Sequence, residues 1–258
     1  MNRRTFLRQS SIAATSVLLI PMPVFSTENP IRKLAAFSAL PTIPQWKYLC
    51  QWIDKTNPKV CLITTASADN PDIINRVYDS LIAADLKPYS LRTCAISSNS
   101  QRVSWDESLA QADIICIAGG NTLNMLAIWQ AQEIDKAIVE AYQKGTLIVG
   151  NSAGANCWYE QSISDARPIQ LSVIQGLGIL KGSFCPHLNS EPKRKPAIEQ
   201  FLANQTLIKG YATDNGTGIL YQDENTHQYI TSSIDNKIYE YEYIDNQVII
   251  KPIPTKTI

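Results

Sequence analysis

The chain has 258 residues, with 23 basic and 23 acidic side chains, six cysteines and only two histidines. This balance lacks the excess of positive charge with which nucleic-acid-binding proteins neutralise phosphate, so no nucleic-acid partner is expected. The two histidines are far apart and lack the spacing of paired metal ligands, so neither a zinc site nor a cofactor is expected.

The first 26 residues predict an export signal rather than part of the fold. Residues 2–8 (Asn-Arg-Arg-Thr-Phe-Leu-Arg) have the twin-arginine pattern, and a moderately apolar stretch follows at 12–25. That stretch is too short, and too interrupted by Pro21 and Pro23, for a membrane-spanning helix, so no stable membrane insertion is expected. We predict a twin-arginine signal peptide at 1–26, cut after Ser26, and a periplasmic or secreted protein that meets the twin-arginine translocase during export. An uncleaved amphipathic anchor is the alternative.

The remaining residues, 27–258, suit a single catalytic domain with a sizeable core. Loss of the three arginines in the signal leaves 20 basic and 23 acidic side chains. Cys61 and Cys116 lie inside apolar runs, and Cys157 follows a small-residue turn, so we interpret them as buried hydrophobic residues. Disulfides are compatible with export but are not required.

Continuous apolar and β-branched runs predict buried parallel strands at 59–65, 112–118 and 146–149. Apolar residues at helical spacing predict helices at 73–86, 123–142 and 155–160. Strands that alternate with helices predict an α/β fold with a mainly parallel sheet flanked by helices. Short strands at 208–221, 228–234, 237–243 and 247–253 then predict a C-terminal antiparallel extension of the same sheet.

Ser152 is the predicted nucleophile. It lies in residues 150–154 (Gly-Asn-Ser-Ala-Gly), between an apolar run and a helix-forming stretch. A strand, a sharp turn of small residues and a helix together lift one hydroxyl clear of the backbone. Gly150 and Gly154 leave room for a strained turn and for an approaching carbonyl group. The alternative is a small-residue turn that simply joins a strand to a helix.

A serine nucleophile needs a base, and the two histidines differ in their surroundings. His187 follows an apolar segment and Pro186, as expected for a side chain displayed at the end of a strand. His227 ends a polar stretch, 222–227, that is typical of a solvated hairpin turn. We therefore predict His187 as the general base.

Spacing alone leaves open which carboxylate orients the imidazole. Asp165 follows the predicted helix of the nucleophile, Glu191 is close to His187, and Asp214 lies in residues 212–216. Each of these carboxylates could equally cap a helix or close a turn.

The predicted oxyanion hole combines the backbone N–H of Ala153, directly after the nucleophile, with one from a neighbouring loop. Residues 119–122 (Gly-Gly-Asn-Thr) form a turn after the strand at 112–118, so Gly120 is the expected second donor. An ordinary strand exit, with Asn121 or Thr122 capping the next helix, is the alternative for this turn.

Three segments in order resemble one family: residues 119–122, residues 150–155 (Gly-Asn-Ser-Ala-Gly-Ala), and Cys-Pro-His at 185–187 followed by Glu191 and Arg194. From about Lys33 to its end the chain is similar to the serine peptidase family of aspartyl dipeptidase (peptidase E) and cyanophycinase. The resemblance implies a class I glutamine amidotransferase-like α/β fold, with serine in place of that superfamily's cysteine. It also implies hydrolysis of short peptides with an N-terminal aspartate, or of β-aspartyl-arginine links.

The resemblance further implies roles for individual residues. Ser152 matches the nucleophile that forms an acyl-enzyme, and His187 matches the general base. Asp165 matches the position of the proposed triad acid, with Asp214 as the alternative and Glu191 third.

Residues 191–195 match a family stretch beside the substrate, which implies substrate-binding roles for Glu191 and Arg194, along with Asn121. A guanidinium there would clamp a substrate carboxylate, whereas a solvated basic loop is the plain alternative. A small peptide is the expected partner, and a homodimer is left open.

Two other functions fit parts of the sequence. An exported α/β-hydrolase-type esterase would use Ser152, Asp214 and His227 in that chain order, but it leaves His187 and the turn at 119–120 without a role. A non-catalytic binding module would keep the same scaffold without turnover.

Overall fold

The computed structural model describes residues 29–94 and 103–258, and the predicted export segment at 1–26 lies outside them. The described chain forms two sheets, one of eight strands and one of six, with helices packed on them. No helix within the described ranges is long and apolar enough to cross a membrane.

The eight-stranded sheet is built around five parallel strands, with the strand order β14-β11-β10-β1-β5-β4-β2-β3. The parallel strands are β1 (Lys33–Phe37), β2 (Lys59–Ile63), β3 (Lys87–Leu91), β4 (Ile114–Ile117) and β5 (Leu147–Asn151). The added strands are β10 (Thr217–Gln222), β11 (Asn225–Thr231) and β14 (Lys256–Thr257). The predicted α/β class and the parallel strands at 59–65, 112–118 and 146–149 are thus confirmed.

The six-stranded sheet has the order β13-β12-β9-β8-β6-β7. Its strands are β6 (Tyr159–Ser164), β7 (Ser172–Gln175), β8 (Leu180–Cys185), β9 (Gly210–Thr213), β12 (Ile238–Ile244) and β13 (Gln247–Ile253). The predicted C-terminal extension is therefore divided between the two sheets. Strands β10 and β11 extend the first sheet, whereas β12 pairs with β9 in the second sheet and β13 pairs with β12.

Helices cover both faces of the larger sheet. They are α1 (Ile43–Trp52), α2 (Pro71–Ala83), α3 (Trp105–Leu109), α4 (Thr122–Gln132), α5 (Ile134–Gln143) and α6 (Ala153–Asn156), whereas α7 (Arg194–Ala203) packs on the smaller sheet. On β1, Leu34 and Ala36 enter one apolar core while Ala35 and Phe37 enter the other. This alternation explains why the strand reads as a continuous apolar run.

The predicted single helix at 123–142 is two helices in the structure. Glu133 adopts a left-handed φ of 59° between α4 and α5, and its N–H bonds the carbonyl of Trp129. The helix-forming stretch predicted at 155–160 is also shorter, because α6 ends at Asn156 and β6 begins at Tyr159. Both differences arise where tertiary packing overrides local helix propensity.

Cys61, Cys116 and Cys157 are buried, as predicted, and all six cysteines are free thiols in the structure. The Sγ of Cys157 lies 3.3 Å from the carbonyl oxygen of Gly154. Burial raises the pKa of the Cys157 thiol well above its ordinary value, so this group stays protonated and is a poor nucleophile.

Candidate active site

Ser152 lies in the tight turn between β5 and α6. Its φ of 52° and ψ of −114° fall outside the regions that residues with a side chain ordinarily adopt. Its N–H donates to the carbonyl of Phe37 at 3.0 Å, and its own carbonyl accepts from Ala155 and Asn156. Since the turn is bonded on both sides, the strained backbone persists and keeps the hydroxyl at the carboxyl edge of the larger sheet.

Two glycines allow this turn because other backbone atoms fill the space beside them. A Cβ on Gly150 would lie 2.0 Å from the carbonyl oxygen of Gly154, and a Cβ on Gly154 would lie 2.1 Å from that of Ile117. Neither position has room for a side chain, so α6 approaches β4 and β5 more closely than any other residue would permit.

We expect Gly154→Ala to lower the free energy of unfolding by about 3 kcal/mol, because a methyl group would overlap the backbone of β4. Gly178→Ala is the matched control: its φ is +69°, but the nearest atom to a Cβ there is 3.8 Å away. That change should cost about 1 kcal/mol, the penalty for a left-handed residue with a side chain. Urea denaturation measures both values, and equal losses would contradict the close approach at Gly154.

Ser152 and His187, the predicted nucleophile and base, meet in the structure. Nε2 of His187 lies 2.9 Å from Oγ of Ser152. His187 follows β8 of the smaller sheet, and its backbone N–H donates to Oγ of Ser38 at 2.6 Å. The pair therefore forms where the carboxyl ends of strands from the two sheets adjoin.

The other side of the imidazole contacts an amide. Oδ1 of Asn215 lies 2.7 Å from Nδ1 of His187. Nδ2 of Asn215 donates to Oγ of Ser190 at 3.0 Å, and Oγ of Ser38 donates to Oδ1 of Asn215 at 3.1 Å. These bonds assign the orientation of the amide, so Nδ1 carries a proton and Nε2 is left as the acceptor for the serine proton.

Asn215 reaches His187 because β8 and β9 are parallel neighbours. Cys185 pairs with Ala212, so the chain leaves adjacent strand ends at His187 and at residues 214–215. Asn215 was not among the residues predicted from the sequence, because only carboxylates were candidates for the orienting group. The available signal was the turn-forming run Asp214-Asn215-Gly216 inside the strand predicted at 208–221.

The structure corrects the prediction that Asp165 orients His187, since Asn215 takes that place. Asp165 is exposed just after β6, and it lines a separate cavity of about 450 Å³ together with Glu191.

The alternative acid, Asp214, accepts a hydrogen bond from the backbone N–H of Lys237 at 2.8 Å. Burial raises the pKa of the Asp214 carboxyl, because the charged form loses solvation there.

Glu191 and Arg194, predicted to bind substrate, instead bond to each other. Arg194 is only 2% exposed, and its Nε donates to Glu191 at 2.8 Å. Its Nη1 donates to the carbonyl of Ile163 at 2.9 Å. The guanidinium thus ties the start of α7 to β6, and its burial removes it from the cavity beside Ser152.

Asn121, also predicted to bind substrate, has both ends of its amide bonded within the protein. Its Oδ1 accepts from the N–H of Asn124 at 3.0 Å, which caps α4, and its Nδ2 donates to the carbonyl of Ala166 at 2.9 Å. The structure therefore gives Asn121 the capping role that was the alternative in sequence.

The two predicted oxyanion donors lie close to Ser152. Gly120 lines a cavity of about 580 Å³ that also contains Ser152 and His187. Ala153 is the first residue of α6, and N–H groups in a first helical turn have no acceptor within the helix. Their binding of an oxyanion stays a prediction that this placement supports.

His227 lies away from Ser152, which contradicts the esterase alternative. Its ring stacks on Trp52 with centroids 5.6 Å apart. Nζ of Lys33, at the start of β1, bonds the carbonyl of Trp52, whereas Ser152 bonds Phe37 at the other end of that strand. His227 and Ser152 thus lie at opposite ends of β1.

Comparisons with known proteins agree with this geometry. Residues 36–229 match the sequence profile of peptidase family S51. The uncharacterized peptidase YgaJ of Bacillus subtilis (strain 168) is 32% identical over 210 residues, covering 81% of this chain and 89% of that protein. Peptidase E of Citrobacter koseri is 28% identical over 115 residues, covering 44% of this chain and 49% of that protein.

A solved structure shows the same fold. The crystal structure of a peptidase from an acI-B1 Actinobacterium superposes with a TM-score of 0.63 at 17% sequence identity, covering 86% of this chain and 96% of that one. These likenesses confirm the resemblance to the peptidase E family that the ordered motifs indicated. The chain therefore belongs to peptidase family S51 and is a serine-type peptidase.

Proposed function

We propose that this peptidase hydrolyses short aspartyl peptides, either aspartyl dipeptides or β-aspartyl links, through an acyl-enzyme on Ser152 with His187 as the base. The observation that carries the proposal is the 2.9 Å contact between Oγ of Ser152 and Nε2 of His187 at the edge of an open cavity. A nucleophile and its base within hydrogen-bonding reach are the minimum that acyl transfer requires.

The first half of the reaction forms the acyl-enzyme. Nε2 of His187 accepts the proton of Ser152 as Oγ attacks the scissile carbonyl carbon. The N–H groups of Gly120 and Ala153 stabilise the negative oxygen of the tetrahedral intermediate. His187 then donates that proton to the leaving nitrogen, the C–N bond breaks, and the amine departs.

The second half repeats these steps with water. His187 accepts a proton from a water molecule, whose oxygen attacks the ester carbon of the acylated Ser152. Collapse of the second intermediate returns the proton to Oγ and releases the carboxylic acid. Apart from the substrate and this water molecule, the groups named in these steps belong to the chain's own side chains and backbone.

Asn215 has a positioning role in this mechanism. Its Oδ1 holds the proton on Nδ1, which keeps the lone pair of Nε2 directed at Ser152. A neutral amide orients the ring as an acid would, but it contributes no negative charge to offset the imidazolium that forms during attack.

The aspartyl specificity rests on relatives and on the size of the cavity. The resemblance of the ordered motifs to the family of aspartyl dipeptidase, and the match to a protein named peptidase E in Citrobacter koseri, support a short peptide as the substrate. The cavity of about 580 Å³ falls within the range that encloses a small ligand. A dipeptide is a ligand of this size class.

A peptide panel tests the proposal. We expect purified protein to cleave Asp-Leu or its isoaspartyl isomer, or cyanophycin, with a kcat/KM at least tenfold above that for Ala-Leu. Release of free amine measured with ninhydrin or by mass spectrometry gives the rates. Absence of cleavage across the panel by protein whose Ser152 reacts with a fluorophosphonate would overturn the aspartyl assignment.

A further inference from the structure

The cavity beside Ser152 has an uneven distribution of charge. Leu40, Ile73 and Val77 supply apolar wall, and Gly119 and Gly120 supply backbone. Besides His187, Arg76 is the one ionisable side chain among its described lining residues. Since no carboxylate lines this space, the cavity favours an anionic group over a cationic one.

The position of Arg76 follows from the packing of α2. Ile74, Val77 and Leu81 bury one face of this helix in the core beneath the larger sheet. Arg76 is adjacent to that buried face, one residue before Val77 and three after Ile73, both of which line the cavity. The helix is thereby held, and only the flexible side chain of Arg76 needs to move to reach a ligand.

The guanidinium of Arg76 is available for binding. Asp72 and Asp79 lie four residues before it and three after it, which is the spacing of ion pairs along a helix. Even so, none of the ion pairs within residues 29–94 and 103–258 involves Arg76. Arg194, in contrast, is buried and already bonded to Glu191.

We propose that Arg76 determines specificity by binding a carboxylate of the substrate next to the scissile bond. A planar guanidinium can hold a carboxylate through two parallel hydrogen bonds, which also fixes its orientation relative to Ser152. The inference deepens the aspartyl specificity proposed above and rests on it. The carboxylate is either the aspartyl side chain or the peptide's C-terminus, and these two sources are separable by experiment.

The activity test compares Asp-Leu with Asn-Leu and with Asp-Leu amide in wild type, Arg76→Gln and Arg76→Lys. Ratios within one variant are compared, so general effects on the nucleophile cancel. We expect Arg76→Gln to reduce the ratio of kcat/KM for Asp-Leu over Asn-Leu by about 10- to 100-fold, with Arg76→Lys intermediate. If the ratio for Asp-Leu over its amide falls instead, Arg76 binds the C-terminal carboxylate.

Arg167→Gln is the matched control, because Arg167 is an exposed arginine that lines the other cavity, beside Asp165. It should leave both ratios unchanged. Unchanged ratios in Arg76→Gln, while wild type cleaves the aspartyl peptides, would overturn the inference about Arg76 and leave the proposed function standing.

A binding test decides the matter even if no peptide in the panel is cleaved. L-aspartate and L-asparagine are each tested for slowing the labelling of Ser152 by a fluorophosphonate. We expect aspartate to protect wild type and Arg167→Gln at concentrations about tenfold lower than asparagine, and this preference to disappear in Arg76→Gln. A preference that survives in Arg76→Gln counts against Arg76 independently of turnover, and so does equal protection by the two ligands in wild type that Arg76→Gln leaves unchanged.

Discussion

Replacing Ser152 by alanine is expected to reduce kcat/KM for the preferred peptide by about 10⁴- to 10⁶-fold. Without Oγ no acyl-enzyme can form, and only binding and the oxyanion donors remain to help water attack. His187→Ala should cause a loss of similar size, because the two side chains act as one unit through their 2.9 Å contact. Steady-state peptide hydrolysis measures both effects, and mass spectrometry after treatment with a fluorophosphonate reports on the nucleophile itself.

Two matched variants give this prediction its control. Ser67→Ala removes another hydroxyl that lines the same cavity, one that donates to the carbonyl of Thr64 at 3.0 Å. His227→Ala removes the second histidine, which stacks on Trp52. Both variants should keep kcat/KM within about fivefold, the range of changes that leave the reacting groups in place. Loss of turnover in His227→Ala but not in His187→Ala would reverse the assignment of the base.

Replacing Asn215 by leucine is expected to lower kcat by about 10²- to 10⁴-fold with a much smaller change in KM. Leucine has a similar shape but cannot accept the proton on Nδ1, so the imidazole loses its preferred tautomer and orientation. The backbone N–H of His187 still donates to Ser38, so the ring should rotate without leaving the site. A rate profile over pH, together with thermal unfolding, separates this effect from loss of the fold.

The carboxylates provide the contrast for Asn215. Asp165→Asn and Asp214→Asn should keep kcat within about fivefold, because neither carboxylate bonds the imidazole in the structure. Asn215→Asp should retain activity and shift the acidic limb of the profile to higher pH by about 1 to 3 units, since a carboxylate at this distance stabilises the imidazolium. A loss in Asp165→Asn larger than that in Asn215→Leu would restore Asp165 as the orienting acid.

Both predictions depend on the strained turn at Ser152 remaining in place. Backbone atoms of other residues occupy the space that a Cβ on Gly150 or Gly154 would need, so this turn tolerates little change. Variants of Ser152, His187 and Asn215 alter only side chains at the cavity, and their effects should therefore appear in kcat rather than in unfolding.

Much of the fold was predictable because it is recorded in local patterns. The buried strands at 59–65 and 112–118 appear as unbroken apolar runs, since both faces of the larger sheet are covered. The turn around Ser152 was predictable for a similar reason, because only small residues fit a sharp strand-to-helix turn. His187 could be identified as the base because the chain has only two histidines and His187 is the one at the predicted end of a strand.

Other features were decided only by tertiary structure. The selection of Asn215 over Asp165 depends on the parallel pairing of β8 with β9, which joins residues 28 positions apart. The burial of Arg194 depends on β6 and α7 meeting, and the exposure of Arg76 to the cavity depends on how α2 packs. Local sequence thus determined which side chains the chain could use for catalysis. Contacts between distant segments determined which of those side chains face Ser152. The physical reason is that strand pairing and helix packing are set by burial of apolar surface over the whole domain.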